Sequence, residues 1–512
     1  MNRNAFYVAV LSFVSRILTF VGRTLYIGKF GAAHPFLNAF VFALQVPQVL
    51  FNVVGTALST IFIPVYNGLL AEEKKNDAKK FIDNVLSIAL VLLILLALAG
   101  VWGAPWLARF VGGADFGGRE YLTFALRVLL PAMVFFGVSA VFTGLLQSHG
   151  KFKLPALVSA PGGVLLIVYL VFFSERFGVT GLIYVTLLGG VLQPMLLLPA
   201  VWRLGYRYRF ALNFKNEHIR AAGRLCLPVL VSVASYQAHF LFAHSMALRL
   251  GYAAVMEYAQ QLVQVFIMLI VLAVAAVYFP RLSALWAKKE AVEYADNLRN
   301  AMVCTIFLVL PAAAGLILLR FEIMGVLLNW RGNSDTYRIA GNLMAIFAIG
   351  LVATSVKEIA DRGFYAMKDS RTPAVFGVVI MAMNIGATLL LLPRLGIYAM
   401  PVAYGVAAVA GTSGLLVRLH RKAQVFNRKF AWDLVKIALA CLMMAGSVWA
   451  WRYIFWGHNL FIIVVCTVFG AAGYLCFAFM LRVSVVREYL KREAARGAEE
   501  FKEKERKRWG LK

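Results

Sequence analysis

The chain has 512 residues, 62% hydrophobic and only 15% charged, with a mean hydropathy of +0.78. A soluble core cannot bury that much apolar side chain, so the sequence specifies an all-α polytopic membrane protein. The net charge of +27 arises from 51 Lys and Arg against 24 Asp and Glu. These basic residues lie between apolar runs and in the tail, which argues against a nucleic-acid partner and fits loops facing anionic lipid.

A window of about 19 residues predicts fourteen spans: 5–30, 36–63, 85–111, 121–147, 154–173, 178–202, 222–248, 252–279, 298–320, 338–365, 372–392, 397–419, 431–455 and 460–481. The first run continues past the length of a signal peptide, is interrupted by arginines and lacks a small-residue cleavage site. It reads as a retained span.

That first span contains "SRILTFVGRTLYIGKFGA" (15–32). Arg16 and Arg23 are two helical turns apart, on one face and about 10 Å from each other. Lys29 is rotated away and can snorkel. A charge at membrane depth costs about 2.5–3.5 kcal/mol on insertion scales, so Arg16 should face either a wet cavity holding an anion or a carboxylate. The main candidate acids are Glu257, Glu358 and Asp361. The last two already have helical neighbours, because Lys357–Asp361 and Glu358–Arg362 are i,i+4 pairs. No arginine matches Arg16 in the second half, where the corresponding stretch reads "SVASYQAHF". Anion binding is therefore expected of Arg16, and both readings stay open for Arg23.

Farther along, Asn38, Gln45, Gln48 and Asn52 run down one face of the second span, and Gln260, Gln261 and Gln264 do so in the eighth. Such stripes line cavities or join helices by hydrogen bonds. Arg127 lies midway along the fourth span, either in a cavity or snorkelling. His239 and His244 are five residues apart and read as hydrogen-bonded packing residues. Lys357 to Arg362, near a span end, read as interface pairing. The five cysteines, Cys226, Cys304, Cys441, Cys466 and Cys476, show no ligand spacing.

Loop charge alternates. The basic set holds Lys74, Lys75, Lys79 and Lys80, then Lys151 and Lys153, and Arg203 through Arg220. It continues with Arg281, Lys288 and Lys289, Lys368 and Arg371, and Arg421 through Lys429. The opposite loops, such as "GAAHPF" and "SERFG", are sparse, which predicts both termini in the cytoplasm. The tail, 482–512, mixes both signs at helical spacing and reads as a solvated or membrane-surface helix.

The chain also repeats at about 216–219 residues. "IFIPVYNGLLAEEKKNDAKKFIDNVL" (61–86) matches "VYFPRLSALWAKKEAVEYADNLRNAM" (277–302), and "TGLLQSHGKFKLPA" (143–156) matches "RGFYAMKDSRTPA" (362–374). Six spans per unit, an even number, give a parallel pseudo-two-fold repeat. The predicted domains are an N-terminal six-helix lobe (1–212), a C-terminal six-helix lobe (213–422), two extra spans (423–481) and the charged tail. Two lobes with a substrate site between them is transporter architecture. HExxH, GxSxG, a Walker lysine motif and CxxC are absent from the sequence, so no catalytic or metal-ligating residue is expected and ATP is not a direct driver.

"SRILTF" followed by "KFGA", "FIPVYNGLLAEEKK", "YFPRLSALWAKKE" and above all "RGFYAMKDSRTPA", in this order, resemble the MurJ/MviN family of lipid II flippases, within the superfamily of polysaccharide and multidrug exporters. The resemblance covers about residues 10–420. It implies translocation of undecaprenyl-pyrophosphate-linked peptidoglycan precursor to the outer leaflet by alternating access, with the last two spans bordering a groove for the lipid tail. It also implies a location in the bacterial cytoplasmic membrane and contact with membrane lipids and cell-wall synthesis proteins. Arginine forks suit a pyrophosphate. No cofactor is implied beyond coupling to a monovalent cation or the membrane potential.

The candidate cavity set is Arg16, Arg23, Asn38, Asn52, Glu257, Gln261 and Lys357, and against the family pattern it shows departures. The second arginine of the first span usually falls where Gly22 stands. Phe51 and Asn52 replace an arginine pair and Gly55 a glutamate. Asn38 replaces an aspartate, and Gln261 in "YAQQ" replaces an arginine. The losses leave room for a different undecaprenyl-linked saccharide as cargo. A drug or cation antiporter would need a cavity richer in carboxylates, and a scaffold would act through the tail.

Overall fold

The computed structural model describes residues 3–31, 33–113, 117–213, 217–328, 334–454, 459–485 and 487, and these are helical almost throughout. Helices α1 (Arg3–Phe30), α2 (Pro35–Ala71) and α3 (Lys75–Gly112) are each long enough to cross a bilayer. The next run is two helices, α4 (Arg119–Leu129) and α5 (Ala132–Ser148), broken where Pro131 lacks the amide hydrogen a continuous helix needs. Next come α6 (Lys153–Ala156) and α7 (Ala160–Val168), then a π-helical turn at Tyr169–Phe173 and α8 (Ser174–Arg203).

Helix α9 (Glu217–Arg249) is followed by α10 (Ala253–Phe266), which runs through a second π turn, Ile267–Val271, into α11 (Leu272–Ala287). The remainder is α12 (Ala291–Leu318), α13 (Arg320–Leu328), α14 (Ser334–Ala366), α15 (Arg371–Leu395), α16 (Ala399–Ala423), α17 (Arg428–Ile454) and α18 (Asn459–Met480).

Eleven helical segments among the described residues are long and apolar enough to cross a membrane. Two of them, Lys153–Arg203 and Arg371–Ala423, contain 51 and 53 residues, more than twice the ~20 that one crossing takes. Each is interrupted. Gly178 in the first has φ 57° and ψ −150°, a conformation that only glycine adopts without strain. The Tyr169 hydroxyl donates to the Gly178 carbonyl at 2.5 Å. In the second, a 3-10 turn intervenes at Gly396–Tyr398. Large apolar side chains such as Trp102, Trp106, Phe110 and Leu390 stand outward and exposed, the reverse of a soluble surface.

The chain divides into two compact units. One comprises Met1–Tyr258, Leu327–Thr336 and Gly377–Ala403; the other comprises Ala259–Val326, Tyr337–Phe376 and Tyr404–Lys512. Within the first, Tyr66, Phe81, Ile82, Phe142 and Leu197 form a core shared by α2, α3, α5 and α8. Within the second, Tyr294, Leu298, Phe364 and Leu415 centre one cluster, and Ile437, Met444, Cys466 and Tyr474 join α12 to α17 and α18 in another.

The sequence repeat is legible in the turns. After α2, amides 72, 73 and 74 donate to the carbonyls of Gly68, Leu70 and Leu69; after α11, amides 288, 289 and 290 donate to those of Ala284, Trp286 and Leu285. Glu73 and Lys289, 216 positions apart, both take positive φ, 57° and 61°. Gly150 (φ 71°) and Lys368 (φ 60°) end α5 and α14 in the same way, 218 positions apart. Identical hydrogen-bonded turns with left-handed residues at this spacing reproduce the period expected from sequence.

Beyond each turn a polar staple recurs. Asp83 Oδ1 on α3 accepts from the Tyr206 hydroxyl (2.8 Å) and the Arg209 amide (3.2 Å), and Asn84 exchanges two hydrogen bonds with the backbone of Asn213. Burial and the Asp83 carboxylate push the Tyr206 hydroxyl well above the usual phenol range. On α12, Arg299 Nε donates to the Val425 carbonyl at 2.7 Å. The extended segments after α8 and α16 are thereby tied down.

Candidate substrate-contact site

Helix α1 is amphipathic in an unusual sense. Ser15, Gly22, Thr24, Tyr26 and Ile27 are buried, whereas Val10, Phe13, Val14, Arg16, Ile17 and Val21 are exposed. The buried face is pinned by polar contacts: Ser15 Oγ to Ser159 Oγ at 2.7 Å, Thr24 Oγ1 to the Tyr258 hydroxyl at 2.6 Å, and Lys29 Nζ to the Leu170 carbonyl at 2.9 Å. The Leu170 carbonyl lies in the π turn, where the widened helix leaves it able to accept. Arg16 thus stands on the exposed face of a helix fixed along its other side.

Arg23, one helical face with Arg16, has a different environment. Its Nη1 lies 2.8 Å from Glu257 Oε1, and the two side chains are 14% and 11% exposed. The other carboxylate oxygen, Oε2, faces Nε2 of the fully buried His244 at 3.0 Å. His244 Nδ1 lies 2.9 Å from the Phe240 carbonyl. A carbonyl only accepts, so Nδ1 carries a hydrogen. The imidazole thus bridges the backbone of α9 and the far oxygen of the Glu257 carboxylate.

Other expected residues fall in several places. Asn38 is fully buried, and its amide is engaged at both ends. Nδ2 donates to the His34 carbonyl (3.1 Å) and Oδ1 accepts the Ala254 amide (2.9 Å), capping the start of α10. It borders a cleft of about 570 Å³ at the ends of α2, α3 and α9, shared with Pro35, Gly113 and Arg249. Arg249 donates to the carbonyls of Val111 and Phe110, at the negative end of α3. Along the second-span stripe Gln45 is buried, Gln48 half-buried and Asn52 exposed. Gln261 is half-buried on α10. Phe51, where the resemblance implies an arginine, packs its ring against Phe136 at 5.8 Å between centroids.

Lys357 pairs with Asp361 on α14 at 2.6 Å, and Arg362 lies 4.0 Å from Glu358, as the i,i+4 spacing predicts. The expected roster of buried acids needs correction. Glu358 is 42% exposed, while Asp83, Glu322 and Asp433 are buried. Glu322 meets Arg452 at 2.6 Å. Sequence reasoning missed these because their partners are backbone amides, a distant tyrosine hydroxyl or a distant arginine. The His244–Glu257 contact was accessible: a tight turn at Leu250–Tyr252 joins α9 to α10, and the two residues lie seven before and six after its middle residue. Among the described residues no cluster of His, Cys, Asp or Glu is suited to a metal ion.

A chain with many helices long and apolar enough to cross a bilayer, and with turns repeated at half-chain spacing, defines a multi-pass helical membrane protein. Residues 28–469 match the family described as lipid II flippase MurJ, and the chain belongs to that family. The lipid II flippase MurJ of Burkholderia cenocepacia is 24% identical over 454 residues, 86% of this chain and 88% of that protein. A probable lipid II flippase MurJ of Thermotoga maritima is 25% identical over 488 residues, covering 94% and 97%. A solved lipid II flippase MurJ in an inward closed conformation matches with a TM-score of 0.80 at 20% identity, over 94% of this chain and 99% of that one. An inward-facing multidrug resistance MATE transporter of the MOP superfamily matches with 0.67 at 16%, covering 82% and 98%.

Proposed function

We propose that this chain translocates lipid II, or a closely similar undecaprenyl-pyrophosphate-linked saccharide, from the cytoplasmic to the outer leaflet, as a transporter and without catalysis. One observation carries the reading beyond family membership: an apolar groove of about 380 Å³ between α12 and the two helices beyond the repeat. It is bordered by Phe307, Pro311 and Leu316 on α12, Met444 and Val448 on α17, and Tyr474 on α18. A groove of that character suits a polyprenyl chain. Arg16, on the exposed face of α1, supplies a fork for the diphosphate.

Fourteen crossings follow if the 51- and 53-residue segments each cross twice and α9 crosses once. Loop charge then orients both termini toward the cytoplasm of a bacterial inner membrane. Coupling to the membrane potential or a monovalent cation fits a basic binding site that must return empty. A different glycan is the second reading, favoured by Phe51, Asn52 and Gln261 at positions where the family carries arginines. The test is depletion of this protein in a cell without a redundant flippase, with lipid II counted in each leaflet. Accumulation in the inner leaflet is expected. Unchanged translocation of lipid II together with a stalled second saccharide selects the other cargo, and unchanged translocation of both excludes the proposal.

A further inference from the structure

At the opposite end of α17 from Arg452, Lys429, Trp432, Asp433 and Lys436 share one helical face. Facing it, α18 ends in a turn closed by the Val483 amide to the Ala478 carbonyl (3.1 Å) and the Arg482 amide to the Phe479 carbonyl (3.0 Å). That turn puts Arg482 at φ 51°, a position usually given to glycine. Two side chains of α17 hold the strained turn. Lys436 Nζ donates to the Arg482 carbonyl, and Asp433 Oδ1 accepts the Ser484 amide, both at 3.3 Å. Asp433 is buried, and its charge is engaged by that amide.

Between the two elements is a cleft of about 510 Å³ lined by these residues and Arg487. Four cations face one carboxylate there. Among the described residues none of Lys429, Lys436, Arg482 and Arg487 forms an ion pair. The two helices that form the cleft also carry exposed apolar side chains, beginning with the lining Trp432. Trp432, Val435 and Leu439 on α17 and Phe479 and Met480 on α18 are all exposed. A cationic cleft with an interfacial tryptophan at the rim of a lipid-facing strip suits a ligand that carries both a phosphate and acyl chains. We propose that this cleft binds the headgroup of an anionic phospholipid, the phosphate lying among Lys429, Lys436, Arg482 and Arg487 and the chains along the apolar strip. The proposal is independent of which saccharide is transported.

The test uses the full-length protein in detergent with phosphatidylglycerol as probe, counting bound lipid by native mass spectrometry. The Lys429→Gln, Arg487→Gln double variant removes two cations that make no hydrogen bond in the turn. Each is worth a factor of about five near a membrane surface, so phosphatidylglycerol retention should fall about tenfold or more at an unchanged melting temperature. Phosphatidylcholine should be retained poorly by both proteins, and excess inorganic phosphate should not displace the lipid. Truncation after Arg487 should leave binding unchanged. Equal retention by the variant overturns the proposal, as does displacement by inorganic phosphate, which would mark a free-anion site. A marked rise on truncation also overturns it, because the occupant would then be the chain's own acidic tail residues. If the double variant does not fold, Lys429→Glu alone provides the same comparison.

Discussion

Arg23 and Glu257, 234 residues apart in sequence, meet at 2.8 Å with His244 on the far carboxylate oxygen. The three groups join α1, α9 and α10 where little water reaches. A carboxylate in such a place is tolerable only while both oxygens have donors, so the arrangement is a structural commitment as well as a store of charge. Its positive member shares a face with Arg16, which keeps the pair's field close to the exposed part of α1.

Removing one partner should therefore cost more than removing both. Glu257→Ala is expected to lower stability by about 3–5 kcal/mol, the cost of an uncompensated buried charge. Arg23→Met with Glu257→Met should recover most of that loss. A double-mutant cycle on detergent-solubilised protein, read by chemical or thermal unfolding, measures the coupling. Additive single effects would show that the pair is not a unit.

Arg16 should behave in the opposite way. It stands on the exposed face of α1, so Arg16→Ala should change stability by less than about 0.5 kcal/mol while abolishing transport. Arg16→Lys should retain charge but lose the fork, leaving partial activity. Complementation read alongside membrane abundance separates the two roles; a fall in abundance matching the loss of growth would assign Arg16 to structure.

The reversal after the first π turn depends on the absence of a side chain. A Cβ at Gly181 would fall 2.1 Å from the Tyr169 hydroxyl, the group that holds the Gly178 carbonyl. Gly181→Ala must expel that hydroxyl and is expected to destabilise by about 1–3 kcal/mol. A melting temperature equal to that of the parent protein would refute the tight packing.

Outside the membrane, Asp369 offers a pH dependence. It bonds Lys422 and receives two hydrogen bonds from Thr372, at 3.0 Å from the amide and 2.7 Å from the hydroxyl. Burial pushes its carboxyl up, but the donors from Lys422 and Thr372 outweigh it and hold it at about 2, below the ordinary 3.8. A depressed carboxyl stabilises the fold above its unfolded value and loses that contribution as pH falls through the folded one. Thermal unfolding of the parent protein should thus weaken between about pH 4 and pH 2. Asp369→Asn should be less stable at neutral pH and flatter in that window. Parallel acid profiles would remove Asp369 from the account.

The seven-residue spacing of Arg16 and Arg23 put both on one face of α1, but one side chain is exposed and the other is paired with Glu257. Their divergence did not follow from spacing, because only the docking of α10 brings Glu257 to one arginine. Asn38 illustrates the opposite limit. Its position in a polar stripe suggested a cavity wall, yet a helix start that needs an acceptor claims its amide. Glu322 and Arg452 lie too far apart in the chain for any periodicity to pair them.

The sequence by itself determined that the chain is a many-helix membrane protein and that it repeats its own turn motifs at 216 to 219 positions. Those properties depend on local hydropathy and on hydrogen bonds that close within a few residues. The tertiary structure alone decided which charges are satisfied and which stand exposed, where the apolar groove and the basic cleft form, and which glycine the chain turns on. A buried charge is stabilised by whatever approaches it in space, and that neighbour is set by packing between helices rather than by order along the chain.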